Sequence, residues 1–331
     1  MKLTTDVKKQ HTVPRFLLNN FGAGKNKRKK KLFTFDKHND RVYQQSVLDA
    51  TTRNSFYNVE NHPERLSLEP ILERNEAQTA IAIKKIIKTN SLVGLTKEDR
   101  ENIAIFIIMQ RARTFHALES INLMMDSLVN KARAMGYAPY QVSELLTGEK
   151  ESEDRKNLFL HQIISQVDLI PVLLKKSWIL YQGHKKDPFY ISDNPVALHN
   201  DIDMGPYGNL GYSVKGIQIH LPISSTLTLA LTCPSIAEGA INLRDNFAQF
   251  AKIDKTVYFR LPQPSRIYNH AEAYETGIPM KSSSENIRFC NSLQVTFAEQ
   301  YVFCQSNDFS LVKQMIKDDE SYRHGLRMKI G

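Results

Sequence analysis

Apolar positions along the chain change texture once. They recur at helical spacing from about residue 68 to 135, and beyond about residue 176 they tighten into short strand-like runs. The longest helical pattern extends from Thr96 to about Met135. Thr96 and Asp99 have capping-box spacing, in which the hydroxyl accepts an early backbone N–H and the carboxylate reaches back. Gly136 marks the C-terminal stop. Unbroken, such a helix would run roughly 58 Å, more than the diameter of a small domain, so a kink or break is expected. Its apolar face reads Ile103, Phe106, Gln110, Arg113, Ala117, Ile121, Met124, Leu128. Gln110 and Arg113 are polar members of that stripe. Buried without partners they would cost several kcal/mol, so they are expected to meet groups from elsewhere in the chain, or a ligand.

A second helix is predicted over Leu68–Lys88, with Glu69, Glu73 and Glu76 along one side. Such carboxylates bind a divalent ion, do acid–base work, or pair with Lys and Arg. Near the N-terminus Pro14 suits the first turn of a helix, and Gln10 and His11 precede it with Arg15 one turn on; an anion would favour that helix end. Residues 32–36 and 41–47 read as a hairpin. Residues 140–147 and 158–174 read as helices. Strands are predicted at 178–181 and 189–191, joined by a turn over Gly183–Pro188. The second runs into Ser192, Asp193 and Asn194 before Pro195. Residues 201–216 form a long loop, 217–223 and 226–231 pair as strands, and 242–252 and 283–298 are helical, the latter carrying Asn291. Strands follow at 257–260 and 301–304. The architecture expected is α+β: a helical layer, including one long central helix, packed on one face of a mixed, mostly antiparallel sheet. We read residues 1–331 as one domain with a helix-rich part at 60–175, a strand-rich part at 176–306, and a peripheral tail at 307–331.

The 331 residues, 41% hydrophobic and 24% charged, are ordinary for a globular protein. No apolar run is read as approaching a membrane span, the start lacks a signal-peptide core, and the three cysteines form no CxxC pair. A cytoplasmic setting without membrane partner is expected. The net charge of +9 permits an anionic partner such as nucleic acid. Much of the excess sits at Lys25–Lys31, where Lys27, Arg28, Lys29, Lys30 and Lys31 form either a solvated loop or a phosphate-contacting patch.

There is no GxGxxG, Walker lysine, HExxH or GxSxG. His199, Asp201 and Asp203 offer ligand types for a metal, but spacing is all that links them. No cofactor is indicated, and a divalent metal stays open. Arg111 and His116 have the R-x4-H spacing of the helical ribonucleases of the HEPN class, a resemblance confined to those two residues.

A broader resemblance covers about Lys9 to Ser306. Gln10-His11-Thr12-Val13-Pro14 through Phe21, then Gln110 with Arg113-Thr114, then Ile191-Ser192-Asp193-Asn194-Pro195-Val196, then Asn286–Asn291 before Tyr301-Val302-Phe303 resemble the bacterial domain of unknown function DUF4238. Phe115 departs from it, standing where the family pattern would put Pro. The resemblance singles out His11, Gln110, Arg113, Ser192, Asp193, Asn194 and Asn291. It implies no assigned activity.

Two functions are weighed. In the first, His11, Gln110, Arg113 and Asp193 converge on one pocket. Arg113 holds a phosphate bidentately, and His11 and Asp193 act as acid and base. Gln10, Arg15, Gln110, Ser192, Asn194 and Asn291 bind substrate. The reaction is phosphodiester or nucleotide hydrolysis, RNA favoured, as in a toxin or phage-defence effector. In the second, the same residues form a buried structural network in a non-catalytic module that binds nucleic acid or a protein partner.

Overall fold

The structure, a computed structural model, describes residues 3–24, 30–137, 151–205, 208–260 and 263–327. The first half holds β1 (Lys9–His11), α1 (Arg15–Leu18), β2 (Lys31–Asp36), β3 (Arg41–Ser46), β4 (Thr52–Asn54), α2 (Glu69–Thr89), α3 (Lys97–Ala112), α4 (Phe115–Ala134), α5 (Glu151–Ser165) and α6 (Ile170–Leu174). The second holds β5 (Ser177–Gln182), β6 (Ile191–Ser192), β7 (Ala197–His199), β8 (Gln218–Ser224), β9 (Leu227–Thr232), α7 (Pro234–Ile253), α8 (Val257–Arg260), α9 (Ser265–Thr276), β10 (Met280–Lys281), α10 (Ser284–Phe297), β11 (Tyr301–Cys304) and α11 (Ser310–Asp318). The fold is α+β.

The long helical pattern starts where expected. Asp99 N donates to Thr96 Oγ1 at 3.1 Å and Thr96 N donates to Asp99 Oδ2 at 2.9 Å, a complete capping box. It breaks at Arg113–Thr114. Thr114 is extended (φ −80°, ψ 162°) and its hydroxyl accepts from Ala117 N, so a threonine cap starts a new helix without the proline of the family pattern. This break turns the last turn of α3 and the first turn of α4 toward different neighbours.

The strands divide into two main sheets rather than one. The first has order β10-β5-β9-β8-β7, antiparallel except for β10 beside β5. The second has order β3-β2-β11-β6, all antiparallel. A separate pair joins β1 to β4. The 178–181 and 189–191 segments, read as neighbours across a turn, enter different sheets as β5 and β6. β6 pairs with β11 instead.

The five-stranded sheet is covered on both faces, which corrects the expected one-sided layer. Leu227, Leu229 and Leu231 of β9 face a core shared with Ile103, Phe106 and Ile107 of α3. The opposite face of β9 carries Thr228, Ala230 and Thr232, all fully buried. Small side chains there admit α9, whose Tyr274 hydroxyl lies 3.1 Å from Thr232 Oγ1. Leu–Thr alternation reads as one apolar and one solvated face; burial of the small polar face is a tertiary fact.

The segment after 306 is no loose appendage. Leu311, Val312 and Ile316 of α11 are buried against Phe35 and Val302 of the four-stranded sheet and Tyr190 just before β6. Val257–Arg260, read as a strand, is a helical turn. The predicted helix at 140–147 lies outside the described residues. Among those described, one stretch, Arg155–Leu174, is long and apolar enough by length and composition to cross a membrane, where no such run was expected. Its Phe159, Leu160 and Ile163 pack with Ala112, Ala117 and Ile121 of α3 and α4.

Candidate functional site

Three of the four residues expected to share a pocket, His11, Gln110 and Arg113, lie close together, but in a buried hydrogen-bonded network and not around any of the described cavities. Gln110 is fully buried; its Nε2 donates to Thr12 O at 2.8 Å and its Oε1 accepts from Arg113 Nε at 2.9 Å. Arg113 Nη1 donates to Glu76 Oε1 at 2.6 Å. The Tyr57 hydroxyl donates to the carbonyls of Arg113 and His11 at 3.0 and 3.3 Å. Gln10 Oε1 accepts from Tyr57 N at 2.7 Å, and Gln10 Nε2 donates to Asn58 Oδ1 at 2.9 Å. The polar stripe of α3 thus meets partners from α2, the turn after β1 and the loop after β4.

These partners leave Arg113 poorly placed to clamp a phosphate. Its Nε and Nη1 are taken, it is 1% exposed, and only Nη2 lacks a partner among the described residues. Burial, with the Arg15 and Arg113 charges, pushes the His11 imidazole down to about 4, against hydrogen bonds to the Leu48 and Val47 backbone; its Nε2 is buried and unpartnered. Burial lifts Glu69 to about 7, with the Glu76 and Glu73 charges adding to it against Arg113 and Arg15. Arg15 is exposed. The helix behind Pro14 is four residues long, so it offers no dipole site for an anion.

Asp193 does not join this group. Its Oδ1 accepts from Glu299 N at 2.8 Å, and its Oδ2 accepts from Gln300 N and Tyr301 N at 2.8 and 2.9 Å. Burial raises its pKa against those three N–H groups and the Lys37 charge. A carboxylate with both oxygens bound to backbone is a latch between β6 and β11, not a free base. The same holds around it. Ser192 N and Oγ donate to Gln294 Oε1 at 3.0 and 2.9 Å, and Asn291 takes Tyr190 N and gives to Pro188 O at 2.7 and 3.1 Å. Asn194 Nδ2 donates to Phe297 O at 3.0 Å, which fixes the amide's orientation and leaves Oδ1 buried without a partner. His199 Nε2 is 2.8 Å from Asp201 Oδ1, while Asp203 Oδ1 accepts from Gly205 N in a local turn, so the three do not assemble a ligand set.

A cavity of about 550 Å³ opens on the other side of the α3–α4 break, lined by Arg111, His116, Ser120, His161, Asn194 and Phe297 among others. Arg111 makes one long hydrogen bond, Nη1 to Val196 O at 3.4 Å, and lies 5.6 Å from the Phe297 ring centre. No carboxylate pairs with it among the described residues. His116 Nδ1 is 2.8 Å from Glu299 Oε2. A carboxylate at Nδ1 places the ring proton there and leaves Nε2 as the basic nitrogen. Burial acts against the Glu299 charge, but hydrogen bonds and charge from His116 and Arg327 overcome it and hold the carboxyl at about 2.

A family model described as protein of unknown function (DUF4238) matches residues 9–308. The chain belongs to the DUF4238 family. No curated protein and no solved structure matches it. The DUF4238 match contains Arg111, His116, Asn194 and Glu299 but ends before Arg327.

Ser120 Oγ donates to His116 O at 2.8 Å and stands 3.5 Å from His116 Nε2, so the hydroxyl is spent on its own helix and is not an activated nucleophile. Ligand atoms of His38, Glu299 and His324 lie within 4.8 Å of one another. Both Glu299 oxygens already accept from Arg327, and the Lys37 charge bears on the same carboxylate, so the local field disfavours a cation. Of the basic run, Lys30 Nζ donates to Asn19 O at 2.7 Å and Lys31 opens β2; Lys27, Arg28 and Lys29 lie outside the described residues.

Sequence reading found Arg111 and His116 through their spacing but missed Glu299, His161, Tyr57, Lys37 and Arg327. Glu299 is 183 positions from His116. No local pattern marks a partner that far away.

Proposed function

We propose that this DUF4238 protein hydrolyses phosphodiesters of single-stranded nucleic acid, RNA favoured, at the α3–α4 cavity. One observation carries the reading. An arginine with no described carboxylate partner and a histidine anchored to a carboxylate line the same cavity across a helix break. Arg111 supplies N–H donors for the non-bridging phosphate oxygens and for the charge that grows on them. His116 Nε2 takes the proton of the attacking hydroxyl, from water or from the ribose itself, while Glu299 steadies the imidazolium. The attacking oxygen then bonds to phosphorus, and the leaving oxygen departs with a proton. His161, also on the cavity wall, is placed to supply that proton.

Charge matching narrows the substrate. A phosphodiester carries one negative charge and Arg111 carries one positive charge; a nucleoside triphosphate would leave several charges uncompensated. The orphan Asn194 Oδ1 asks for a ligand N–H or O–H, as a nucleobase or ribose provides. The basic run at Lys27–Lys31 collects the polyanion from a distance. The test is Arg111→Gln against labelled single-stranded RNA. Loss of binding and turnover with an unchanged melting temperature supports the reading, and full retention of both contradicts it.

A second reading, a non-catalytic RNA-binding module, draws on how completely Gln110, Arg113 and Asp193 spend their hydrogen bonds inside the protein. In that case wild-type protein binds RNA through Arg111 and never cleaves it.

A further inference from the structure

We infer that the C-terminal segment completes the cavity site and that Arg327 is a positioning residue for the Glu299–His116 pair. The inference rests on the cavity reading above. Arg327 Nη1 donates to Glu299 Oε2 at 2.7 Å, and its Nη2 donates to Glu299 Oε1. A planar guanidinium that spans both oxygens fixes the plane of the carboxylate, which a single contact would leave free to rotate. The oxygen that takes Arg327 Nη1 is the one that faces His116 Nδ1, and Arg327 Nη1 is itself 3.4 Å from that nitrogen. Glu299 is 3% exposed, so it is held as a buried anion in one orientation. The imidazole then keeps its proton on Nδ1 and presents Nε2 to the cavity.

Gly325 shows how closely the segment lies on the pair. A Cβ there would sit 2.4 Å from His116 Nδ1 and 2.7 Å from Glu299 Oε2. Only a bare backbone passes so near. Leu326 lines the cavity itself. Two bonds upstream tie the segment down: Arg323 Nη1 to Lys37 O at 3.1 Å, and Lys37 Nζ to His324 O at 3.2 Å. Arg323, His324, Gly325, Leu326 and Arg327 all lie past residue 308, where the family match stops. The site therefore combines a family-matched acid–base pair with an added clasp.

The experiment uses full-length protein in three forms: wild type, Arg327→Gln and Arg327→Lys. One readout is the proton NMR signal of a slowly exchanging imidazole N–H, assigned by its absence in His116→Ala. It is expected in wild type, lost in Arg327→Gln, and weakened but present in Arg327→Lys. The other is the pH profile of kcat and KM on single-stranded RNA. Arg327→Gln is expected to lower kcat at least tenfold with KM within twofold, and to move the acid limb to higher pH. Should Arg327→Gln not fold, the Lys variant alone decides, because an unchanged signal in it contradicts a positioning fork. A signal and kcat that survive Arg327→Gln intact overturn the inference, as does a Zn²⁺ titration in which metal on His38, Glu299 and His324 displaces Arg327. If the signal behaves as expected but wild type cleaves no RNA, the proposed activity fails while the positioning role stands.

Discussion

Arg113 and Glu76 meet at 2.6 Å, Nη1 to Oε1, across the α2–α3 interface. Arg113 also holds Gln110 through Nε, and Gln110 in turn holds Thr12. Truncating Arg113 leaves Gln110 short of a partner in the core and Glu76, whose side chain is 26% exposed, without its cation. Arg113→Ala is therefore expected to cost about 3 kcal/mol, the low end of the range for breaking one side of a buried pair, because Glu76 keeps access to water. Replacing both Arg113 and Glu76 by Met should cost less than the single change. Urea denaturation at neutral pH measures both, and a loss below about 1 kcal/mol for Arg113→Ala would remove Arg113 from the structural network.

The same two helices show how far the sequence could be read. Gln110 and Arg113 stood out as polar positions in an apolar stripe, and the expectation that they meet partners from elsewhere held. Their partners were legible only in part. Pairing of Glu76 with a Lys or Arg was among the readings of that helix face and held, but nothing local pointed to Arg113, and Thr12 contributes a backbone carbonyl that no side-chain pattern reveals. Asp193 was legible as a polar residue at a strand end, but its role was misread. An aspartate that caps three backbone N–H groups of a distant loop has the same local sequence as one that faces a ligand. The division into two sheets escaped for a related reason, since β6 finds β11 more than a hundred positions away.

Glu69 sets a pH dependence. Its folded pKa is raised to about 7 from the ordinary 4.5, with burial the largest cause. Its stabilising contribution is fully present below about 4.5 and is lost as pH rises through about 7, because the unfolded chain gives up the proton first. His11 acts in the opposite sense. With a folded pKa lowered to about 4 from 6.5, its contribution is present above 6.5 and is lost as pH falls through about 4. Glu69→Gln isolates the first term. Relative to wild type, the variant should gain stability between pH 5 and pH 8, as read from urea midpoints at each pH.

Asp193→Asn tests whether that residue is a latch or a base. An amide at this position turns an NH₂ toward backbone donors that now share two carboxylate oxygens. A loss of about 1–3 kcal/mol is expected, with turnover per folded molecule unchanged. A stable variant that cannot turn over RNA would restore Asp193 to the chemistry.

The basic run should act at long range. Replacing Lys27, Arg28 and Lys29 by Ala is expected to weaken RNA binding equally across sequences and to flatten the dependence of affinity on salt, as removal of phosphate contacts does. Equal salt slopes for wild type and variant, read from filter-binding titrations between 50 and about 200 mM salt, would assign the run to solvent.

The central claim is proton transfer at His116 Nε2. Its most direct test is the cleavage rate of labelled single-stranded RNA by His116→Ala, measured with and without added imidazole on protein shown to melt like wild type. The rate is expected to fall by about 10²–10⁴, the usual contribution of a positioned acid–base group, and to recover in part when imidazole fills the space. A rate equal to wild type, unmoved by imidazole, would contradict the assignment of this cavity as the active site.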